Sequence, residues 1–205
     1  MKSLNSFIVK PYKDRYNNKL ESGLITNASI ESFQHISKEA VVIETPKNIK
    51  SPIKKGDIVM VHHNIFRRYY GMNGKQKNGS TYFKDDLYFA HVDQVYLYKQ
   101  DGKWQTNLNY CFVIPIKETD VLKSQKEQTN TGILKYGNSE LEALKINPGD
   151  LVGFNPMREF EFIFDNKRLY CMKSNDIVIK YEHKGNEEEY NPSWANSSGG
   201  INKGS

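Results

Sequence analysis

The sequence predicts an all-β protein made of two tandem copies of one unit, and three observations carry that prediction. Short apolar runs rich in Val, Ile, Phe and Tyr recur along the chain between Gly, Asn, Asp and Pro clusters, while apolar positions at helical spacing are nearly absent. One phrase, Ile-x-x-Gly-Asp-aliphatic-Val, occurs twice, as IKKGDIVMV at 53–61 and as INPGDLVGF at 146–154. The runs around it follow the same order in both halves, which is the mark of internal duplication.

Taken in order, the first copy reads FIVKP (Phe7–Pro11), a long polar stretch, AVVIETP (40–46), the Gly-Asp phrase, a long hairpin, and LYFAHVDQVYLY (87–98). The second reads FVIPI (112–116), a shorter polar stretch, GILKYGN (132–138), the phrase again, a short hairpin, and LYCMKSNDIVIK (169–180). Each copy spans roughly 90–100 residues, within the size prior for a small domain. Residues 1–103 are therefore assigned to the first unit and 104–183 to the second, joined near KQDGKWQTN. SELEALKI (139–146) reads equally as a turn or two of helix or as a loop with an apolar anchor. Gly56 and Gly149 supply a turn position with positive φ, and the following Asp57 and Asp150 can accept from nearby backbone N–H groups. The phrase is turn chemistry, not catalysis.

From Lys184 the composition changes to Asn, Ser, Gly and Glu with almost no aliphatic content. Residues 184–205 are expected to be disordered, because they cannot bury enough apolar area to offset their ordering entropy. Trp194 there reads as a solvated side chain or as a short anchor for a partner.

Composition excludes several classes. No apolar run approaches the roughly 20 residues that cross a bilayer, and MKSLNSFIVK lacks the features of a secretory signal, so a cytoplasmic location with no membrane partner is expected. The only cysteines, Cys111 and Cys171, stand outside any ligand spacing and read as reduced, half-buried strand residues. The net charge of +5 is spread along the chain with no block of five or six, which suits an acidic partner without demanding nucleic acid, and nucleic acid is not the expected partner. His62 and His63 are adjacent, and on a strand they would face opposite sides and could not share a metal. No phosphate-binding loop, nucleophile elbow or zinc-protease motif is present, and none of the five histidines stands beside an obvious nucleophile. A non-enzyme without cofactor or metal is expected. The hairpin at 62–86 mixes Arg67, Arg68, Tyr69, Tyr70, Lys75 and Lys77, a weak nucleic-acid signature that reads more readily as a surface projection. Asp85-Asp86 reads as a turn.

The second half carries Gly132-x-x-x-Tyr136-Gly137-Asn138, then Gly149-Asp150-x-Val152, a short hairpin, Leu169-Tyr170 and Asp176-Ile177. The first half carries VKPYKDR (9–15) and ESGLITNAS (21–29). In that order these motifs resemble the GroES-like co-chaperonins, in a tandem version of the kind a phage could encode, over roughly residues 5–182. The resemblance implies two GroES-like β-barrels. It also implies a mobile loop that inserts into a chaperonin, with Gly23 as the loop glycine and Leu24 and Ile25 as two of three aliphatic positions. The third is Thr26, a departure from the family pattern. It implies an oligomeric lid whose partner, not the chain itself, binds ATP, and a hairpin at 62–86 equivalent to the family's roof hairpin.

The residues support such a loop on their own account. Residues 13–29 are largely polar, with one small aliphatic cluster at Leu24-Ile25, and a segment that orders on binding loses affinity to that ordering. Burying two aliphatic side chains contributes roughly 1.5–3 kcal/mol each, so one loop binds weakly and several act through avidity. The alternative is an ordinary hairpin loop with Leu24 and Ile25 packed on the sheet. At the level of function, the alternative is a structural module, such as a component of a viral particle, that reuses the barrel without chaperonin binding.

Overall fold

The computed structural model describes residues 2–16, 36–120, 122–182 and 185–196. They fall into two compact units, Met1–Asn107 and Leu108–Ser205. Both are β-sheet structures with only short helical turns.

In the first unit the strands are β1 (Phe7–Pro11), β2 (Glu39–Glu44), β3 (Ile58–Val61), β4 (Arg68–Tyr70), β5 (Gln76–Asn78), β6 (Tyr82–Lys84), β7 (Leu87–Ala90), β8 (Val95–Gln100) and β9 (Lys103–Thr106). Seven form one antiparallel sheet in the order β6-β7-β1-β2-β3-β8-β9, and β4 with β5 make a separate ribbon. In the second unit β10 (Tyr110–Lys117), β11 (Glu127–Tyr136), β12 (Leu151–Phe154), β13 (Phe160–Phe164), β14 (Lys167–Lys173) and β15 (Ile177–Tyr181) form a sheet in the order β13-β14-β10-β11-β12-β15. The two orders coincide strand for strand, with β9 added at one edge of the first sheet.

The match extends to register. Val9 pairs with Val42 on one side and Tyr88 on the other, and Val113 pairs with Leu134 and Tyr170. A bulge precedes the first pairing in each copy, between Ile8 and Val9 and between Phe112 and Val113. The Gly-Asp turns are also alike. Gly56 and Gly149 have φ of 93° and 97°. Their N–H groups donate to Val42 O and Leu134 O, both at 2.8 Å. Asp57 Oδ2 accepts from Lys54 N and Asp150 Oδ2 from Asn147 N, both at 2.8 Å.

Alternation explains the cores. Phe7, Val9, Ala40, Val42, Val59, Val61, Tyr88 and Ala90 lie two apart on their strands and bury on one face of the first sheet. Cys111, Val113, Leu134, Val152, Phe154 and Met172 do the same in the second, joined by Leu141 and Ile146. Leu141 lies on the short helix α1 (Ser139–Ala143), the helical alternative for SELEALKI. Asn138 caps it, its Oδ1 accepting from Glu140 N at 3.1 Å and Leu141 N at 3.2 Å, while its Nδ2 donates to Tyr110 O at 2.9 Å. Cys111 and Cys171 are free and buried rather than half-buried, and burial pushes the Cys111 thiol up to about 12.

The 87–98 run holds the two strands that close each copy, with a 3-10 turn at Val92–Gln94 between β7 and β8, as Ser174–Asp176 separates β14 from β15. Two expectations need correction. The assigned junction cuts through a hairpin: β9 pairs with β8, so the first unit reaches Asn107. Finally, disorder from Lys184 onward does not hold for residues 185–196. Lys117 N donates to Glu188 O and Tyr190 N to Pro115 O, both at 2.8 Å, so this segment borders β10 where β14 no longer does. Lys167–Glu189 (2.9 Å) and Lys117–Glu188 (2.5 Å) ion pairs flank it. A short helix α2 (Ser193–Asn196) packs against β14 and buries Ala195. Backbone hydrogen bonds to a strand edge supply the order that the composition could not. The side chain of Trp194 lies outside the described set.

Candidate functional site

The sequence places partner binding on the loop between β1 and β2. Gly23, Leu24, Ile25 and Thr26 lie outside the described residues. The neck of the loop is described. Tyr16 and Ile36 form an antiparallel bridge, Ser37 N donates to Arg15 O at 3.0 Å, and Tyr12 N to Glu39 O at 3.0 Å, so the two ends of the segment leave the sheet side by side.

Arg15 fixes that neck. Its side chain is buried, and its Nε donates to Phe66 O at 2.5 Å, Nη2 to Arg67 O at 3.2 Å and Nη1 to Asn78 Oδ1 at 2.7 Å. The guanidinium lies 4.9 Å from the centroid of the Tyr88 ring, a cation–π contact. Burial lowers the Arg15 pKa, and the neighbouring Arg68 adds to the effect. Tyr16 OH accepts from Arg68 N at 2.6 Å. Phe66 meets Tyr88 edge-on at 4.9 Å, and Tyr88 OH donates to Asp86 Oδ1 at 3.0 Å. The loop neck and the start of the β4–β5 ribbon therefore share one buried anchor.

The ribbon presents Tyr69, Tyr70 and a fully exposed Met72 to solvent, with Lys75, Gln76 and Lys77 also exposed. Asp85 and Asp86 have φ of 49° and 60° and turn β6 into β7, as Asp165 and Asn166, at 52° and 58°, turn β13 into β14. The histidines do not behave as strand neighbours. β3 ends at Val61, a 3-10 turn begins at His63, and the two rings stack at 4.2 Å. Burial lowers both pKa values, that of His63 to about 4 with further help from His62, Lys38 and Arg67, so the pair is neutral near pH 7. Among the described residues no cluster of three or more His, Cys, Asp or Glu side chains is placed to hold a metal, and no helix is long and apolar enough to cross a membrane.

The corresponding loop of the second unit is short and tied down. Glu118 N donates to Lys126 O at 3.1 Å, and Lys123 pairs with Glu118 at 2.8 Å. Leu122 is exposed, and Val121 lies outside the described residues. Beside this loop Arg168 donates through Nη1 to Glu127 at 2.5 Å, through Nε to Glu161 at 2.8 Å and through Nη2 to Tyr170 OH at 2.8 Å. Sequence reasoning missed both arginine anchors. The available signal was the repeat itself, which aligns Tyr88 with Tyr170 and asks what each ring stacks against.

A scan against protein-family models finds no match to this chain, and a search of curated proteins finds none either.

Proposed function

We propose that the chain is a co-chaperonin, which docks on a chaperonin ring through Gly23, Leu24, Ile25 and Thr26 and caps the folding chamber as an oligomer of barrel units. ATP is bound by the partner. The observation that carries this reading is the asymmetric duplication: two sheets that share one order of six strands, of which one bears a long polar loop held at its neck by Arg15, Tyr16 and Ile36. A long loop on a rigid base presents a weak aliphatic anchor without deforming its carrier, and several copies on one ring then bind reversibly through avidity. Deleting residues 20–27 leaves the chain folded and abolishes its nucleotide-dependent co-sedimentation with a chaperonin. Capture unchanged by the deletion overturns the proposal.

A second reading has its own support. Thr26 breaks the aliphatic tripeptide, and the second loop is short and pinned by Glu118 and Lys123. Both fit a structural module, such as a viral particle component, that keeps the barrel and gives up chaperonin binding. Absence of capture by a cognate chaperonin, together with incorporation into a larger assembly, selects it.

A further inference from the structure

The β4–β5 ribbon keeps one register along its whole length. Arg68 pairs with Asn78, Tyr69 with Lys77 and Tyr70 with Gln76. Gly79 N donates to Arg67 O at 3.1 Å and Gly71 N to Lys75 O at 2.9 Å, so the same ladder runs one pair further at each end. Alternation divides the side chains between two faces. Arg68 and Asn78 face the body of the unit: the Arg68 guanidinium lies 5.7 Å from the Tyr16 ring centroid, and Asn78 Oδ1 accepts from Arg15. The opposite face carries Arg67, Tyr69, Lys75 and Lys77, all exposed, and Tyr69 keeps 43% of its accessible surface. A Cβ built on Gly71 would lie 2.9 Å from Lys77 Cε, which places the Lys77 side chain on this face, over the glycine.

The chemistry of this face is one-sided. Arg67 stands opposite Gly79 and Lys75 opposite Gly71, so neither cation has a side chain across from it. Three cations surround one phenol ring, and the sequence holds no Asp or Glu from His62 to Lys84. The net charge of the whole chain is too diffuse to select a partner; this local concentration selects an anionic one. A carboxylate-rich peptide would use the cations but has nothing flat to lay against the ring. A chain of phosphates that also carries flat bases uses both. The platform is fixed before anything binds, because Arg15 holds one strand at Arg67 O and the other at Asn78.

We propose that this face of the ribbon binds single-stranded nucleic acid, with a base stacked on Tyr69 and phosphates held by Arg67, Lys75 and Lys77. Every base has a face to stack, so binding tolerates any sequence. The inference is independent of chaperonin docking, which rests on residues 23–26.

The test is fluorescence anisotropy of the full chain at low salt with a labelled oligothymidylate of about twelve nucleotides, beside a duplex of the same length and an oligoglutamate peptide. Saturable binding of the single strand is expected, with a log–log salt slope of roughly −2 for three neutralised phosphates. Tyr69→Ala is expected to weaken it roughly tenfold, about 1.4 kcal/mol, with the thermal midpoint unchanged, while Tyr69→Phe keeps the affinity. Replacing both Lys75→Gln and Lys77→Gln lowers the slope to roughly −0.7. No saturable binding at low salt, affinity unchanged in Tyr69→Ala, a slope unchanged in the double variant, or a tighter grip on the duplex overturns the proposal. Oligoglutamate bound as tightly as the oligonucleotide also overturns it and assigns the face to an acidic polypeptide.

Discussion

Tyr88 and Tyr170 occupy the same place in the two sheets, and each ring carries an arginine at 4.9 Å. The arginines come from different parts of the chain. Arg15 arrives from the loop after β1 and is satisfied by carbonyls of the β3–β4 connection and by Asn78. Arg168 sits two residues before its tyrosine on β14 and is satisfied by carboxylates. In the first unit the residue two before the tyrosine is Asp86, which accepts from the phenol. The same aromatic position thus serves two purposes. In one copy it locks the neck of a long loop, and in the other it closes a cleft over a short one. Backbone register survives duplication because every strand depends on it, whereas a side chain that meets only a loop is free to be re-partnered.

That contrast can be broken most forcefully at Arg15. Arg15→Ala strands three acceptors in the first unit and is expected to destabilise it by about 3 kcal/mol or more, with hydrogen exchange rising at Phe66–Asn78 and the second unit unaffected. Equal loss of protection in both units would show that the anchor is not local.

A smaller effect separates Gly132 from its counterpart. Ala40 pairs with Pro11 as Gly132 pairs with Pro115, yet a Cβ built on Gly132 lies 2.4 Å from Ile114 O. Gly132→Ala is expected to cost about 2–3 kcal/mol by forcing two backbones apart. Ala40→Gly costs only about 1 kcal/mol, through chain entropy. Denaturant titration of both variants measures the difference, and similar losses would mean that the second sheet relaxes as easily as the first.

The tyrosines also sharpen the comparison through pH. Burial raises both phenol pKa values above 10.0, helped by the Asp86 hydrogen bond in one unit and the Glu127 hydrogen bond in the other. The folded chain therefore holds these protons more tightly than the unfolded chain. The associated stability is fully present below about pH 10 and is lost as pH rises further. Thermal midpoints measured between pH 8 and pH 11 should fall only above about 10, and Tyr88→Phe should remove the first unit's share. The smallest expected effect is a matched one. Gly56→Ala and Gly149→Ala meet nothing within 4 Å but impose φ of 93° and 97° on an L-residue, so each costs about 1–2 kcal/mol. Unequal costs would show that the two turns are not interchangeable.

Much of the fold was legible because apolar alternation is written in the residues themselves. The apolar runs quoted from the two copies became strands, whereas the buried pair Ile65-Phe66 lies at a 3-10 turn, and the repeated phrase located the shared turn. The hairpin at 62–86 was legible, and the ribbon β4–β5 lies in it, but the bounds of those strands and the edge strand β9 were not: residues such as Gln76, Lys77 and Lys103 are exposed and leave no buried face to read. The docked segment 185–196 escaped notice because it is held by backbone groups and ion pairs, which composition does not record. The cleft beside Tyr170 was equally hidden, since Glu127, Glu159, Arg168 and Tyr190 are far apart in sequence and meet only through the sheet.

The contact between Ile116 and Glu189 also has a consequence in time. A ribosome adds roughly 5–20 residues per second, so this stretch of β10 waits on the order of several seconds before its last neighbour is made. During that interval the strand offers bare N–H and C=O groups to any passing chain. The first unit carries the same exposure, since β1 waits at least as long for β7, where Phe7 pairs with Ala90.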